Sequence, residues 1–347
     1  ISRQLWRCFP CSIGGSCFDW VMKRDGVSFK HAKELLAARV AGQAPAAAGP
    51  KKLPSPVSVD ADDRQLLAQV VDYYWQTLKR EPGARDYLRR RGLGEQLIDT
   101  FKLGYANRTL AYRLPPKSRE RDDDVRGRLM KVGVLRQETG HEHLAGSVTI
   151  PVFGENGEVE ELYGRKIRDD LRKGTPKHLY LARGRLPAGR GVWNWQGIQG
   201  QEEIILCEAL IDALTFWAAG FTAVTSAYGS DVFPAEHLHA YKRFGVKRVL
   251  IAFDRDEAGD RGAVKAAARL EEIGIRPFRV QFPHGMDANE YALKVQPAGK
   301  SLGLALQSAV WMGKGPAPAR SMILAGAVPP ARPRPAAPAP RGAAPPA

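Results

Sequence analysis

The chain is 347 residues long, 44% hydrophobic and 26% charged, with 52 Lys and Arg against 37 Asp and Glu and a formal charge of +15. Two or three domains are expected at this length, the composition is that of a globular protein, and no apolar run is long enough to cross a bilayer as a helix. Residues 1–11 lack the basic and apolar sections of a signal peptide, and four cysteines do not make a secreted disulfide framework, so a cytoplasmic protein is expected.

Residues 1–40 read as a small unit: a Cys-containing apolar hairpin, then helical patterns over 17–22 and 29–40. Cys8 and Cys11 have the spacing of metal ligands. A linker is expected over 41–59, where Ala, Gly and Pro dominate without periodicity. From Asp60, Leu66, Leu67, Val70, Val71, Tyr74, Trp75 and Leu78 recur on one helical face. A second helix follows Pro82 and Gly83 and stops near Gly92, and a third spans 93–101. Residues 147–167 read as a β-hairpin turning at 154–157. The stretch 60–200 is therefore expected to be an α+β, basic subdomain.

Between 201 and 296 the rhythm changes. Apolar runs at 203–207, 222–225, 247–253 and 277–282 alternate with helical stretches at 209–219, 232–244 and 259–273, which predicts a parallel sheet with helices on its faces. A short helical segment is expected over 297–312 and a disordered Pro/Ala-rich tail over 313–347. That tail holds Lys314, Arg320, Arg332, Arg334 and Arg341 and no acid, leaving about +10 on the rest. Such a balance fits electrostatic binding of nucleic acid, although a coding bias toward Arg and Ala accounts for part of it.

The acids of this α/β stretch stand at strand ends. Glu208 follows the run 203–207, and Asp254 and Asp256 follow the run ending at Phe253. Side-chain alternation places Asp254 and Asp256 on one side, at the sheet edge where open α/β folds bind ligands. Carboxylates gathered there repel unless a hard divalent cation sits among them, which points to metal-dependent phosphoryl chemistry. Asp287 is a further acidic station, and Asp212, one turn beyond Glu208, either supports the site or complements the helix dipole. His141, His143, His237 and His239 read as surface residues. No Gly-Lys-Ser/Thr phosphate loop is found, which excludes a nucleotide-driven motor of that class.

Glu208, the Asp254/Asp256 pair, Tyr228-Gly229-Ser230 and Gly259 resemble a TOPRIM domain, a Rossmann-like parallel sheet whose Glu and Asp-x-Asp hold Mg²⁺ (or Mn²⁺) for nucleic-acid chemistry. The resemblance extends outward to the bacterial DnaG-type primases: "ARDYLRRRGLGEQLIDTFKLGYAN" is similar to their helical opening, "SVTIPVFGENGEVEELYGRKI" and "TPKHLYL" to their basic subdomain, and "FPHGMDANEYAL" to their last acidic segment. "RCFPCSIGGSCFDWVMKRDGVSFKHAKELLA" resembles the second half of their Cys-His-Cys-Cys zinc ribbon, so Cys8 and Cys11 would be two of four Zn²⁺ ligands and the others are expected before Ile1. The resemblance implies metal ligation by Glu208, Asp254 and Asp256 with Asp212 and Asp287 in support, and phosphate contacts from Arg165 and Lys177, with Lys166 and Arg85 as further nucleic-acid contacts. Asn289 departs from the family, which usually has Asp there.

The implied function is synthesis of short RNA primers on a single-stranded DNA template from ribonucleoside triphosphates, near the nucleoid and alongside a replicative helicase. With only a short segment and tail after the core, a mobile-element or plasmid primase is expected. A TOPRIM nuclease of a mobile element, or an inactive primase-like DNA-binding adaptor, are the alternatives.

Overall fold

The computed structural model describes residues 5–7, 14–27, 29–40, 54–114, 124–168, 170–171, 173–182, 191–229 and 233–318. Cys8, Cys11, the 41–53 part of the expected linker, Ser230 and the tail beyond 318 lie outside the described residues.

The first unit is a hairpin, β1 (Leu5–Arg7) antiparallel to β2 (Gly14–Ser16), followed by α1 (Cys17–Asp25) and α2 (Phe29–Val40). Ser16 and Asp19 form a reciprocal capping box that starts α1, and Gly26 at φ 66° ends it. Val21, Met22, Val27 and Ala32 bury against one another.

The second unit opens with α3 (Asp63–Lys79), α4 (Pro82–Arg90) and α5 (Glu95–Thr100). α3 starts at an Asp62/Gln65 capping box and buries Leu66, Leu67, Val70, Val71, Tyr74 and Leu78 of the stripe read from the sequence, with Trp75 half-buried at its edge. β3 (Gly104–Tyr105), α6 (Leu110–Arg113) and α7 (Val125–Lys131) lead into β4 (Ser147–Phe153), β5 (Val159–Lys166) and β6 (His178–Leu179). The sheet is antiparallel in the order β3-β4-β5-β6, with the β4/β5 turn at Gly157, φ 79°.

After α8 (Trp195–Ile198) the chain alternates: β7 (Glu203–Cys207), α9 (Leu210–Ala218), β8 (Val224–Ser226), α10 (Ala235–Phe244), β9 (Arg248–Ala252), α11 (Glu257–Glu272), β10 (Arg276–Arg279), α12 (Ala288–Lys294), α13 (Ala298–Gln307) and β11 (Val310–Trp311). The sheet order is β11-β10-β9-β7-β8, with all pairs parallel except the β11 edge. The segment 297–312 is thus a helix that returns a strand to the sheet; its Leu302, Ala305 and Leu306 are buried in the main core.

Strand alternation divides the two faces. Ile205, Cys207, Leu250 and Ala252 face a core shared with Leu210, Leu214, Ala292 and Leu302, and that same core takes in Leu88 and Leu97 of α4 and α5 and Val148 and Ile150 of β4. Ile204, Leu206, Val249 and Ile251 face Leu238, Tyr241, Ala263 and Leu270 of α10 and α11. The shared core fixes the antiparallel unit against one face of the parallel sheet. His237, read as a surface residue, is fully buried, its Nε2 2.9 Å from the Ser226 carbonyl oxygen. It falls on the inward stripe of α10 with Leu238, Tyr241 and Phe244, and helical position overrides its polarity. His143 is half-buried with Nε2 2.9 Å from the Tyr180 carbonyl oxygen, whereas His141 and His239 are exposed.

Candidate functional site

The parallel sheet reverses its winding between β7 and β9, because β8 lies beside β7 on one side and β9 on the other. At such a reversal the loops leaving the two strands part in opposite directions and open a crevice past their carboxyl ends. Glu208 leaves β7 on one side of that crevice, and Asp254 and Asp256 leave β9 on the other. The carbonyl of Glu208 accepts from Gly229 N at 3.0 Å and from the Ser226 hydroxyl at 3.1 Å, so the loop after β8 holds its backbone in place.

Strand β9 stops at Ala252, so alternation along a strand is not what orients Asp254 and Asp256. Asp256 is set instead as the N-cap of α11, its Oδ1 accepting from Gly259 N at 2.7 Å. Asp287 does the same for α12, accepting from Glu290 N at 2.6 Å. A Cβ at position 259 would stand 2.2 Å from the Asp254 carbonyl oxygen, so only glycine lets α11 begin this close to the loop. Arg279, 4% exposed at the end of β10, donates to the carbonyls of Phe253 at 2.7 Å and Asp254 at 2.8 Å and to Asp260 Oδ1 at 2.8 Å. In the sequence Arg279 stands inside the apolar run 277–282, and a guanidinium within such a run is the available signal.

The carboxylates feel one another. Asp254 is pushed up to about 7 by desolvation and by the negative charges of Glu208, Asp287 and Asp256, against the pull of Arg279. Asp212, buried in the first turn of α9, is raised well above the usual carboxylate range by burial and then by Asp287, Asp254 and Glu208. All five acids therefore share one electrostatic neighbourhood. Among the described residues no three His, Cys, Asp or Glu side chains are already grouped as a metal-holding set. Asp212, Asp256 and Asp287 each commit an oxygen to a backbone N–H. The donors themselves are all hard carboxylate oxygens, the chemistry that suits Mg²⁺ or Mn²⁺ rather than a thiophilic metal.

A basic face adjoins this cluster. Arg165 on β5 pairs in register with His178 on β6 and hydrogen-bonds it, and Tyr163 Oη lies 2.8 Å from His178 Nδ1. His178 is pushed down to about 4 by desolvation and by the charges of Arg165, Lys177 and Arg91, so three cations converge on a neutral imidazole at pH 7. Desolvation opposes the Arg165 charge, but Tyr163, Tyr87 and Asp212 outweigh it and hold its guanidinium above the usual range. Arg91 links the two halves: its Nη1 donates to Asn289 Oδ1 at 3.0 Å, and Asn289 N donates to Asp212 Oδ1 at 3.1 Å. Asn289 also donates through Nδ2 to the Arg91 carbonyl and to the Thr215 hydroxyl, both at 2.8 Å.

Two expected contacts lie elsewhere. Arg85 pairs with Glu95 at 2.6 Å and ties α4 to the first turn of α5. Lys166 points away from its neighbour Arg165, as alternation along β5 requires, and donates to the Ala145 carbonyl.

Comparison with known proteins places this arrangement. Residues 73–180 match the family model described as DNA primase catalytic core, N-terminal domain, and residues 205–292 match the Toprim-like model. A DNA primase of Deinococcus radiodurans is 29% identical over 307 residues, covering 86% of this chain and 51% of the relative. A DNA primase of Listeria monocytogenes is 28% identical, covering 83% and 48%. The chain thus spans about half the length of the curated relatives it matches. The zinc-binding and RNA polymerase domains of the Aquifex aeolicus primase share the fold with a TM-score of 0.61 at 24% identity, over 89% of this chain and 74% of that one. A DnaG primase catalytic domain bound to ssDNA shares it at 0.58 and 21% identity, over 72% and 79%. The chain thus carries a segment matching the primase catalytic core N-terminal domain followed by a Toprim-like segment on one α/β framework, and it is similar in both to the DnaG-type DNA primases.

Proposed function

We propose that the chain synthesises short RNA primers on single-stranded DNA by Mg²⁺-dependent nucleotidyl transfer. The observation that carries this is the meeting of five electrostatically coupled acids at the sheet crevice with the Arg165, Lys177 and Arg91 face. Glu208, Asp254 and Asp256 would hold Mg²⁺ or Mn²⁺, with Asp212 and Asp287 in support. Such ions, when bound, neutralise triphosphate charge and stabilise the attacking and leaving oxygens of an in-line displacement.

The chain's own groups do the positioning. Arg165 and Arg91 offer planar forks and Lys177 a point charge for the phosphates of nucleotide and template. His178, neutral at pH 7, presents an acceptor to Arg165 and adds no fourth cation. Arg279 anchors the backbone of the Asp254 loop, so the carboxylates stay at the crevice while substrate enters. The structural relative bound to ssDNA supports a single-stranded template as partner. Cys8 and Cys11 would supply two of the four ligands of a structural Zn²⁺. A replicative helicase partner and a cytoplasmic, nucleoid-associated location belong to the same reading. Among the described residues no helix is long and apolar enough to cross a membrane.

The test is ribonucleotide incorporation on single-stranded DNA with Mg²⁺. Asp254→Ala should lower synthesis by more than the roughly 10–100-fold that loss of a supporting residue costs at a metal site, with DNA retention kept. Strand scission in place of synthesis would favour a nuclease, and neither activity an adaptor.

A further inference from the structure

Away from the acidic crevice, α1 and the corner that precedes β4 enclose a cavity of about 400 Å³. Lys23, Arg108, Arg136 and Lys166 line it, with Asp19 and Glu142. Four separate segments deliver the cations: α1, the turn before α6, the turn after α7, and the end of β5. Arg108 reaches back over the corner, its Nη2 3.8 Å from where a Cβ would stand on Gly146, and Lys166 donates to the adjacent Ala145 carbonyl. Lys166 is held below the usual lysine range by burial and by the charges of Arg108 and Arg136, so these cations oppose one another. Arg108 adopts φ 72°, a left-handed conformation that costs an L-residue energy and gathers at ligand sites.

Both acids already carry hydrogen bonds of their own. Asp19 accepts from the Tyr112 hydroxyl at 2.6 Å and from Ser16 N and Oγ at 2.7 Å. Glu142, 3% exposed, accepts from the Tyr74 hydroxyl at 3.0 Å and from Leu110 N at 2.8 Å. Two guanidinium groups and two ammonium groups around one cavity are the donor set of a phosphate. The cavity is also a seam: Lys23 and Asp19 belong to the N-terminal unit, whose small core receives Tyr112 from α6.

We propose that this cavity binds a phosphate group and that the phosphate, bridging Lys23 to Arg108, Arg136 and Lys166, fastens the N-terminal unit to the body. Binding and docking then strengthen each other reciprocally. A nucleic-acid strand and a free nucleoside triphosphate present the same group. Only the strand source rests on the primase reading.

The full chain is titrated with inorganic phosphate, ATP and a fluorescein-labelled oligothymidylate while amide exchange over residues 17–40 is followed. A phosphate-bearing probe should slow exchange there. The Arg108→Gln/Arg136→Gln double variant should bind that probe about tenfold or more weakly and lose the protection, and the Arg108→Lys/Arg136→Lys pair should keep most of it. Both arginines are exposed, and a thermal melt followed by circular dichroism checks the fold; if the pair melts early, Arg136→Gln alone is used. Protection by the oligonucleotide but not ATP assigns the strand, and the converse assigns the nucleotide. Protection by none of the probes, or equal protection in the Gln variant, overturns the site. Primer synthesis is measured in parallel: synthesis without protection refutes the phosphate site and leaves the primase reading intact, and protection without synthesis does the reverse.

Discussion

Glu142 shows how far burial shifts a single carboxyl. It is pushed up to about 7, first by desolvation, although Tyr74 and the Leu110 and Ala111 backbone bonds pull it down. Because the folded protein keeps this proton longer than the unfolded chain, its contribution is fully present below pH about 4.5 and is lost as pH rises through about 7. The loss is on the order of 3 kcal/mol, and Glu142→Gln should flatten stability over that window, as read from denaturant midpoints at stepped pH. Asn289 works differently, through neutrality. At 0% exposed it satisfies the Arg91 carbonyl, the Arg91 guanidinium and Thr215 without adding a sixth negative charge beside Asp212. Asn289→Ala would leave those buried groups unpaired, and a destabilisation of about 2–4 kcal/mol is expected in chemical denaturation.

At the scale of elements, the site depends on how closely α11 follows β9. Asp256 caps the helix, Gly259 lets its first turn pass so close that a Cβ there would lie 2.2 Å from the Asp254 carbonyl oxygen, and Arg279 of β10 clasps the same carbonyl from the sheet side. Gly259→Ala has no flexible neighbour to displace, because the opposing atom is backbone. It should destabilise by about 1–3 kcal/mol and depress primer synthesis while oligonucleotide affinity holds, which separates a shifted carboxylate loop from a lost binding face. The β4/β5 hairpin carries the other half of the site. The register of β5 with β6 sets Arg165 opposite His178, and a slip of one residue in β5 would turn Arg165 to the other face.

For the molecule as a whole, charge is separated in space: the acids occupy one crevice and the cations flank it. Strand binding should therefore weaken with salt, and the logarithmic slope should fall by about 0.7 for each phosphate contact removed from a single strand. Lys177 is exposed, so anisotropy titrations of Lys177→Ala across a salt series should show that change without loss of stability. The shared core that joins α4, α5 and β4 to the parallel sheet keeps the two charge regions in fixed relation.

Much of this was legible along the chain. The β7 to β10 rhythm, the β4/β5 hairpin, the α3 stripe and the acids near strand ends follow from local rules, because apolar spacing and turn residues record which side of a backbone is buried. The electrostatic coupling of Glu208, Asp212, Asp254, Asp256 and Asp287 was expected only through chemistry and resemblance; Asp256 and Asp287 owe their settings to helix caps, and the Asp254 backbone to Arg279. Other features had no local trace. Arg91 meets Asn289 across 198 residues, and β11 returns to close the sheet edge. Periodicity along the chain specifies what each segment can become, whereas which distant segments touch is settled by packing whole faces together and by the hydrogen bonds that burial then makes obligatory.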